Sequence, residues 1–323
     1  MNGSLAKWAS PLILLAIGLA CVPFLNDYIL YIATIAALVS ILAVSYDVLL
    51  GLTGYLSLAH GFLYGVGAYT CALLTTRAEF SFWLALPLSG LVAAVLGALV
   101  ALTAFRTKGL YFAVLTLGIG LVGYQLFLVL EPLTGGVGGF VGIPSPPLLP
   151  GFDESPSQSN LALSLIGLAV AYLAALAFLR APLGAACLAV REDVTLAQAL
   201  GIRVGFARLA AFTFSAFFAG IAGALFASIS NFIGPDNFSV LATGFQIVVF
   251  VVIGGMGTLW GPIIGAVFLT ALPEMLRSAS TYSIAAYGLL MLFFILFAPS
   301  GFAGIARAAW RRMSPASRTS EVK

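Results

Sequence analysis

Residues 183–209, LGAACLAVREDVTLAQALGIRVGFARL, form a charged stretch between apolar runs of membrane-spanning length. The charges stand at Arg191, Glu192, Asp193, Arg203 and Arg208. A polar helical segment between hydrophobic spans must lie in water, and its excess of Arg indicates the cytoplasmic side of a membrane. The stretch therefore predicts a short helix on the membrane surface, at a place where another protein can hold it.

The composition of the whole chain is that of a membrane protein. Of its 323 residues 62% are apolar and 8% are charged, whereas a soluble globule carries about 25% charged residues. Most of the surface must then face lipid, where backbone groups bond internally in helices or closed barrels. The apolar runs are continuous rather than alternating, so the sequence predicts an all-α, polytopic membrane protein. The modest net charge of +3 argues against a nucleic-acid partner.

The apolar runs predict about ten transmembrane helices, each near the length of about 20 residues that a bilayer requires. The third run is rich in Gly and the eighth is short, so these two are the least regular. The predicted spans are residues 9–25, 28–50, 56–76, 82–105, 110–130, 161–180, 209–230, 241–256, 259–278 and 282–298.

The distribution of basic residues supports an even number of spans with both termini in the cytoplasm. With ten spans, only Arg77 and Arg277 of the 14 basic residues fall outside. This bias is typical of the excess of Lys and Arg in cytoplasmic loops. The residues predicted to lie inside are Lys7, Arg106, Lys108, Arg180, Arg191, Arg203, Arg208, Arg307, Arg311, Arg312, Arg318 and Lys323.

This layout divides the chain into a transmembrane domain, residues 1–305, and a basic cytoplasmic tail, residues 306–323. The domain includes the cytoplasmic loop 183–208 and a long outer connection, residues 131–160, which is rich in Gly, Pro and Ser. Such residues mark loops, and loops of this length are often functional. The outer connection caps the mouth of a pathway, meets an external partner or serves as a solvated linker.

The sequence contains no signature of catalysis. A Walker A pattern, a G-x-S-x-G elbow and a cluster of residues at metal-ligand spacing are all missing from it. We therefore predict a protein that is not an enzyme and that binds neither a metal nor a cofactor. Three cysteines, lying in or beside apolar runs, argue against a disulfide framework.

A few polar residues lie inside predicted spans, where they tend to face a cavity or a partner. Asp47 stands near the inner end of its span and either reaches the membrane surface or serves an ion-coupled carrier. As a lone histidine, His60 is expected to form a hydrogen bond between helices rather than to serve as a proton relay. Gly residues form small faces that let helices approach closely. The motif G-x-x-G-x-L also occurs twice, at residues 51–56 and 254–259, which is a weak internal echo.

Several stretches in order resemble one family, the LivM-type permease subunits of bacterial branched-chain amino-acid ABC importers. The resemblance covers nearly the whole chain from about residue 28, and the ordered set is more specific than any single piece. The stretches are GLTGYLSLAHGFLYGVGAY (51–69), KGLYFAVLTLGIG (108–120), LTGGVGGFVGIP (133–144), REDVTLAQALGI (191–202) with AFTFSAFFAGIAGALFA (211–227), GGMGTLWGPIIGAVFL (254–269) and APSGFAG (298–304).

The resemblance implies a permease that forms half of a translocation pathway in the bacterial inner membrane. Implied partners are a second homologous permease, two cytoplasmic ATPases that bind the ATP, and an external solute-binding protein. The loop 191–201 is similar to the family's ATPase-coupling segment, which implies coupling positions at Arg191, Glu192, Asp193, Ala197 and Gly201.

The residues of this loop suit a docking helix on their own chemistry. Asp193 and Glu192 stand at the start of a helix-competent run, where carboxylates favour the positive end of the dipole. Ala197, with Ala199 and Leu200, gives a small apolar face that a cleft can receive. Gly201 is suited to end the helix in a left-handed conformation.

The first of these stretches departs from the family's usual pattern at two positions. Tyr55 stands where the family usually has Gln, and Ala59 stands where Gly is often found, so these changes affect the pathway if the segment lines it. Candidate pathway or helix-packing residues are Tyr55, Ser57, His60, Tyr111, Gln125 and Gln246. Leucine-type substrates are expected. Related permeases carry urea and short amides, and an ion-coupled secondary carrier is the alternative from another class.

Overall fold

The fold is taken from a computed structural model that describes residues 25–275, apart from 106, 108 and 151–154. It also describes the isolated positions 22, 288, 289, 292 and 301–304. The predicted spans 9–25 and 282–298 therefore lie almost entirely outside the described residues, and the tail 306–323 and both termini lie wholly outside them.

The described chain is an all-α bundle with one two-stranded ladder. The helices are α1 (Asp27–Thr53), α2 (His60–Thr76), α3 (Phe82–Ala104), α4 (Leu110–Val129), α5 (Glu131–Thr134), α6 (Pro156–Arg180), α7 (Pro182–Glu192), α8 (Val194–Ala199), α9 (Val204–Ser230), α10 (Phe245–Gly254) and α11 (Trp260–Met275). The strands are β1 (Phe140–Val141) and β2 (Phe232–Ile233), which pair antiparallel.

Five of these helices, α1, α3, α4, α6 and α9, are long and apolar enough to cross a membrane. Each predicted span between residues 28 and 278 coincides with a helix, although α6 and α9 begin at Pro156 and Val204 rather than at 161 and 209. The two irregular spans are short helices in the structure, since α2 has 17 residues and α10 has 10. The described chain is thus a multi-span helical membrane protein.

Helix α9 lies at the centre of the bundle and packs against α1, α2 and α3, while α1 also packs against α6 and α11. The crossing of α2 and α9 depends on small residues, because a Cβ added to Gly67 would overlap the backbone of Gly220. Close backbone approach of this kind stabilises helix pairs in lipid, where the burial of apolar side chains does not by itself favour helix association. The predicted small-residue faces are therefore the central packing surface.

The connections gather at two ends of the bundle. We call one end the loop end: α1, α3 and α6 finish there, α4 and α9 begin there, and α7 and α8 lie across it. At the opposite end β1 of the long connection pairs with β2, and the Asn231 side-chain amide donates to the Ile143 carbonyl over 2.8 Å. The predicted outer connection is therefore joined by its backbone to the segment that precedes α10.

Two segments that join helices are not α-helical. Residues 54–59 separate α1 from α2, and residues 231–244, which hold β2, a 3-10 turn and a π-helical turn, separate α9 from α10. Irregular backbone in a membrane must find partners inside the protein. The Tyr46 hydroxyl provides them for Ser57, accepting from its N–H over 3.0 Å and donating to its carbonyl over 2.9 Å. Both breaks therefore precede the short helices, which explains why these spans were the least regular in the sequence.

Candidate functional site

The charged stretch forms α7, α8 and the first residues of α9 rather than the single docking helix that the sequence predicts. The chain is extended at Asp193, whose carboxylate accepts from the N–H groups of Thr195 over 2.7 Å and Leu196 over 3.0 Å. Asp193 is therefore the N-cap of α8, as its position at the start of the run suggests. Glu192 instead ends α7, so its predicted place at a helix start is wrong.

Helix α8 ends at a left-handed glycine, as the sequence predicts. Gly201 has φ +80°, and its N–H donates to the Gln198 carbonyl while the Ile202 N–H donates to the Ala197 carbonyl, both over 3.0 Å. These two bonds form a Schellman motif, which occupies carbonyls that the helix leaves free. The six-residue helix is thus fixed at both ends by local hydrogen bonds.

The apolar face that α8 presents to solvent differs from the predicted one. Ala197 is 1% exposed and packs inward, so it is not part of a surface that a partner can receive. Leu196 and Leu200 are 59% and 71% exposed, and their i, i+4 spacing places them on one face of the helix. Of the predicted face, Ala199 and Leu200 are exposed as expected. Leu196 was missed, although its position four residues before Leu200 places it on the same side of a helix.

The inward side of α7 holds the loop end together through Arg191. Its Nη1 donates to the Gly51 carbonyl in the last turn of α1. The carboxylate of Asp47, one turn earlier, accepts from the N–H groups of Gly257 over 2.7 Å and Leu259 over 3.2 Å. Asp47 is fully buried. We call this set, Asp47, Gly51, Arg191, Gly257 and Leu259, the turn junction.

The turn junction brings the two G-x-x-G-x-L motifs of the sequence into direct contact. A Cβ added to Gly51 would lie 2.6 Å from the Gly257 nitrogen, so the close approach requires glycine. The first motif stands where α1 ends, and the second begins at the last residue of α10 and forms the turn between α10 and α11, which pack against each other. Both Asp47 oxygens accept from backbone here, so the structure assigns this carboxylate to joining the turns rather than to the membrane surface.

A second polar group lies deeper, around His60. Its Nε2 is 2.9 Å from the Ser215 Oγ of α9, and its Nδ1 is 3.2 Å from the Ser57 Oγ. His60, Ser57 and Ser215 are fully buried, and the Tyr46 ring contacts His60 edge-on. As predicted, the histidine links two helices. Ser57 belongs to this same cluster.

Tyr55 lies between the turn junction and the start of α9, in an aromatic cluster with Phe105, Phe112 and Phe212. Its ring meets those of Phe105 and Phe112 edge-on at centroid distances of 5.6 Å and 5.0 Å. Phe212 contacts both Phe105 and Phe112. The Arg208 Cζ lies 4.3 Å from the Tyr55 ring centroid, which is cation–π distance.

The remaining candidates lie apart from these clusters. Gln246 lines a cavity of about 210 Å³ with Tyr64, Asn237 and Thr243, among apolar side chains of α1, α9 and α10. Tyr111 is 78% exposed, and Gln125, nearly four turns further along α4, is also exposed. The structure therefore brings Tyr55, Ser57 and His60 into neighbouring clusters but leaves the α4 pair on an outer face of this chain.

The described residues hold no group of three or more His, Cys, Asp or Glu side chains that could bind a metal ion. In this part of the molecule the polar chemistry consists of hydrogen bonds that join helices and turns. The charged segment of α7 and α8 therefore has two sides. On its inner side Arg191 contacts the end of α1, and on its outer side Leu196 and Leu200 are exposed.

These features define a multi-span membrane protein with a docked surface loop, and comparison with known proteins gives its family. A family model described as the permease component of the branched-chain amino acid transport system matches residues 28–299. The chain belongs to that family of membrane permeases.

Curated relatives of two kinds are similar to the chain. The high-affinity branched-chain amino acid transport system permease protein LivM of Salmonella typhimurium is 36% identical over 298 residues, which cover 85% of this chain and 70% of that protein. LivM of Escherichia coli K12 is 35% identical over the same shares. The permease protein LivH of Salmonella typhimurium is 28% identical over 84% of this chain and 92% of that protein. No solved structure matches the chain.

Proposed function

We propose that the chain is the permease subunit of an ATP-binding-cassette importer and forms half of the translocation pathway for branched-chain or related small amino acids. The family membership and the curated relatives support this substrate class, since all of those cited are permeases of branched-chain amino acid transport systems. The similarity to both LivM and LivH supports pairing with a second, homologous permease. Two ATPase subunits supply the energy, and an external binding protein delivers the solute.

The observation that carries the proposal is the two-sided arrangement of α7 and α8. On the inner side Arg191 contacts the end of α1, and Asp47 of the same helix accepts from the turn between α10 and α11. On the outer side Leu196 and Leu200 form an apolar pair on a short helix fixed at both ends. A segment that transmits force from a partner to the spans needs such a rigid body and both contacts.

The proposal includes a topology. Ten spans place both termini, the coupling loop 183–208 and the tail 306–323 in the cytoplasm of a bacterial cell, with the transmembrane domain, residues 1–305, in the inner membrane. The connection 131–160 then faces outward, towards the solute-binding protein. The chain itself binds no ATP or other cofactor. Arg191, Glu192, Asp193, Ala197 and Gly201 act as coupling positions, with Ala197 seated inside the loop and the leucine pair making the outer contact.

Co-purification and uptake test the proposal together. The double variant Leu196→Asp/Leu200→Asp should lose the ATPase subunits on purification in gentle detergent, because charges replace the apolar pair at the contact. Thr195→Asp adds a charge to an exposed position of the same helix and should retain them. If the double variant keeps the ATPases at the wild-type level, α8 is not the docking element.

Uptake into vesicles separates the importer from the ion-coupled carrier. Leucine, isoleucine or valine uptake should require ATP and the binding protein and should survive a protonophore. Uptake that persists without ATP and stops when the proton gradient collapses would show a carrier instead. Uptake of urea or short amides in preference to leucine would place the chain with the related permeases of other solutes.

A further inference from the structure

Arg208 is a buried cation whose hydrogen-bonding capacity is largely unused. The side chain is 4% exposed, and its Nε and Nη2 are buried without a hydrogen-bond partner in the described structure. A guanidinium offers five N–H donors in a fixed fork that matches a carboxylate. Leaving a charged group buried and unpaired is costly, so this arrangement suggests that an anion meets Arg208 at some stage of the protein's work.

Two acidic residues near the loop end accept hydrogen bonds from other groups. Asp47 accepts from the Gly257 and Leu259 backbone, and Asp193 caps α8. Glu192 is exposed at the end of α7. Arg208 instead faces the π surface of Tyr55 at 4.3 Å, which leaves the donors in the plane of the guanidinium free. In the described part of the chain, no carboxylate therefore accepts a hydrogen bond from the buried Nε and Nη2 of Arg208.

The surroundings of Arg208 indicate what kind of anion fits. The aromatic cluster of Tyr55, Phe105, Phe112 and Phe212 continues from the guanidinium into the bundle and ends against His60, since Phe212 contacts that ring at 5.2 Å. A cation beside an apolar aromatic surface is complementary to a small molecule with a carboxylate at one end and a hydrocarbon group at the other. A phosphate group would pair with the cation, but it has no hydrocarbon part to contact the aromatic rings.

We propose that Arg208 binds the carboxylate of the transported amino acid at the loop end, while the aromatic cluster contacts its apolar side chain. This inference rests on the proposed function and names a solute contact within it. In the described state the rings close over one another, so the site opens when the segment carrying Tyr55 moves. Tyr55 is then the side chain that covers the cation when no solute is present.

Direct binding to the assembled importer tests the inference. The complete complex, reconstituted in nanodiscs of neutral lipid without the external binding protein, is titrated with radiolabelled leucine. Unlabelled 4-methylpentanoate, which has the carboxylate and hydrocarbon but no ammonium group, should displace the label. 3-Methylbutylamine, which lacks the carboxylate, should not. Displacement by inorganic phosphate as effective as by 4-methylpentanoate would overturn the inference, since the site would then accept any anion. Loss of leucine binding in anionic lipid would also overturn it, because a headgroup would be the occupant.

Variants assign the binding to Arg208. Arg208→Gln should weaken leucine binding about tenfold to a hundredfold, because a charge-assisted bond is lost, and Arg208→Lys should weaken it less. Arg203→Gln, which neutralises an exposed Arg five residues away, should bind as the wild type does. Wild-type binding by Arg208→Gln would overturn the inference.

Thermal stability distinguishes a binding role from a structural one. Arg208→Gln should melt close to the wild type, because the substitution removes both a buried charge without a hydrogen-bonded anion and the contact of that charge with the Tyr55 ring. If instead it melts well below the wild type, the lost binding reflects a damaged fold and the inference fails.

ATP-driven uptake by the wild-type importer is measured separately. If the wild type takes up leucine while Arg208→Gln binds it normally, only the inference fails. If the wild type takes up no branched-chain amino acid, the proposed function fails.

Discussion

Replacing Asp47 by Ala should loosen the turn junction and lower the stability of the bundle. The carboxylate accepts two hydrogen bonds from the backbone of the second turn, at 2.7 Å from Gly257 and 3.2 Å from Leu259. Bonds to charged groups contribute about 1.5 kcal/mol each at the low end of their range, so the loss is roughly 3 kcal/mol. A loss of this size lowers the melting temperature of a large domain by roughly 6–12 °C.

The assay is thermal unfolding of the detergent-solubilised complex, followed by ATP-driven uptake from proteoliposomes. Asp47→Asn keeps the side-chain volume and one carbonyl acceptor, so its melting temperature should fall by about half as much. Asp27→Asn is the matched control, because Asp27 begins the same helix and is exposed. It should melt close to the wild type. Uptake should fall in the order wild type, Asp47→Asn, Asp47→Ala.

Two outcomes would refute this reasoning. If Asp47→Ala melts with the wild type, the carboxylate does not hold the turns together. If Asp47→Asn is fully stable but has lost uptake, the residue acts through its ionisation, as in an ion-coupled carrier, rather than through the two hydrogen bonds.

Three further predictions concern the loop and the helix seam. Gly201→Pro should abolish ATP-driven uptake but leave membrane insertion intact in alkaline extraction, because Pro cannot adopt φ +80°; wild-type uptake would contradict the role of α8. Gly67→Val should destabilise the bundle by about 1–3 kcal/mol through overlap with Gly220, and thermal unfolding at the wild-type temperature would contradict that packing. Burial raises the pKa of the Cys187 thiol to about 11, so in a chain whose other cysteines are Ser, iodoacetamide labelling should be slow at pH 8 and become faster as the pH rises and the thiolate forms; fast labelling at pH 8 without denaturant would contradict it.

The local features of the loop could be predicted because the residues that form them are neighbours in sequence. Asp193 caps the N–H groups two and three residues later, and Gly201 ends the helix begun there. The spans could also be predicted, since length and hydropathy are properties of each run alone. The breaks before α2 and α10 appeared in the sequence only as a Gly-rich run and a short run.

The contacts that cross the chain could not be predicted. Asp47 and Gly257 are 210 residues apart, and a lone carboxylate in an apolar run gives no indication of its partner. The sequence also could not predict that Ala197 faces inward. The helix has only six residues, which is too short for its apolar pattern to show which side faces the protein. Tyr111 and Gln125 carry no periodic signal that separates an inner face of α4 from an outer one.

The two ends of the bundle are held by different kinds of bond, and this has a mechanical consequence. The end with the β1–β2 ladder is joined by paired backbone, whereas at the other end Arg191 reaches across with a long side chain. Helix α9, of 27 residues, spans about 40 Å between them. If the loop moves as the proposed function requires, the ladder is the fixed end of α9. A displacement of about 4 Å at α7 and α8 would then tilt a 40 Å helix by about 6°, with little movement at the ladder.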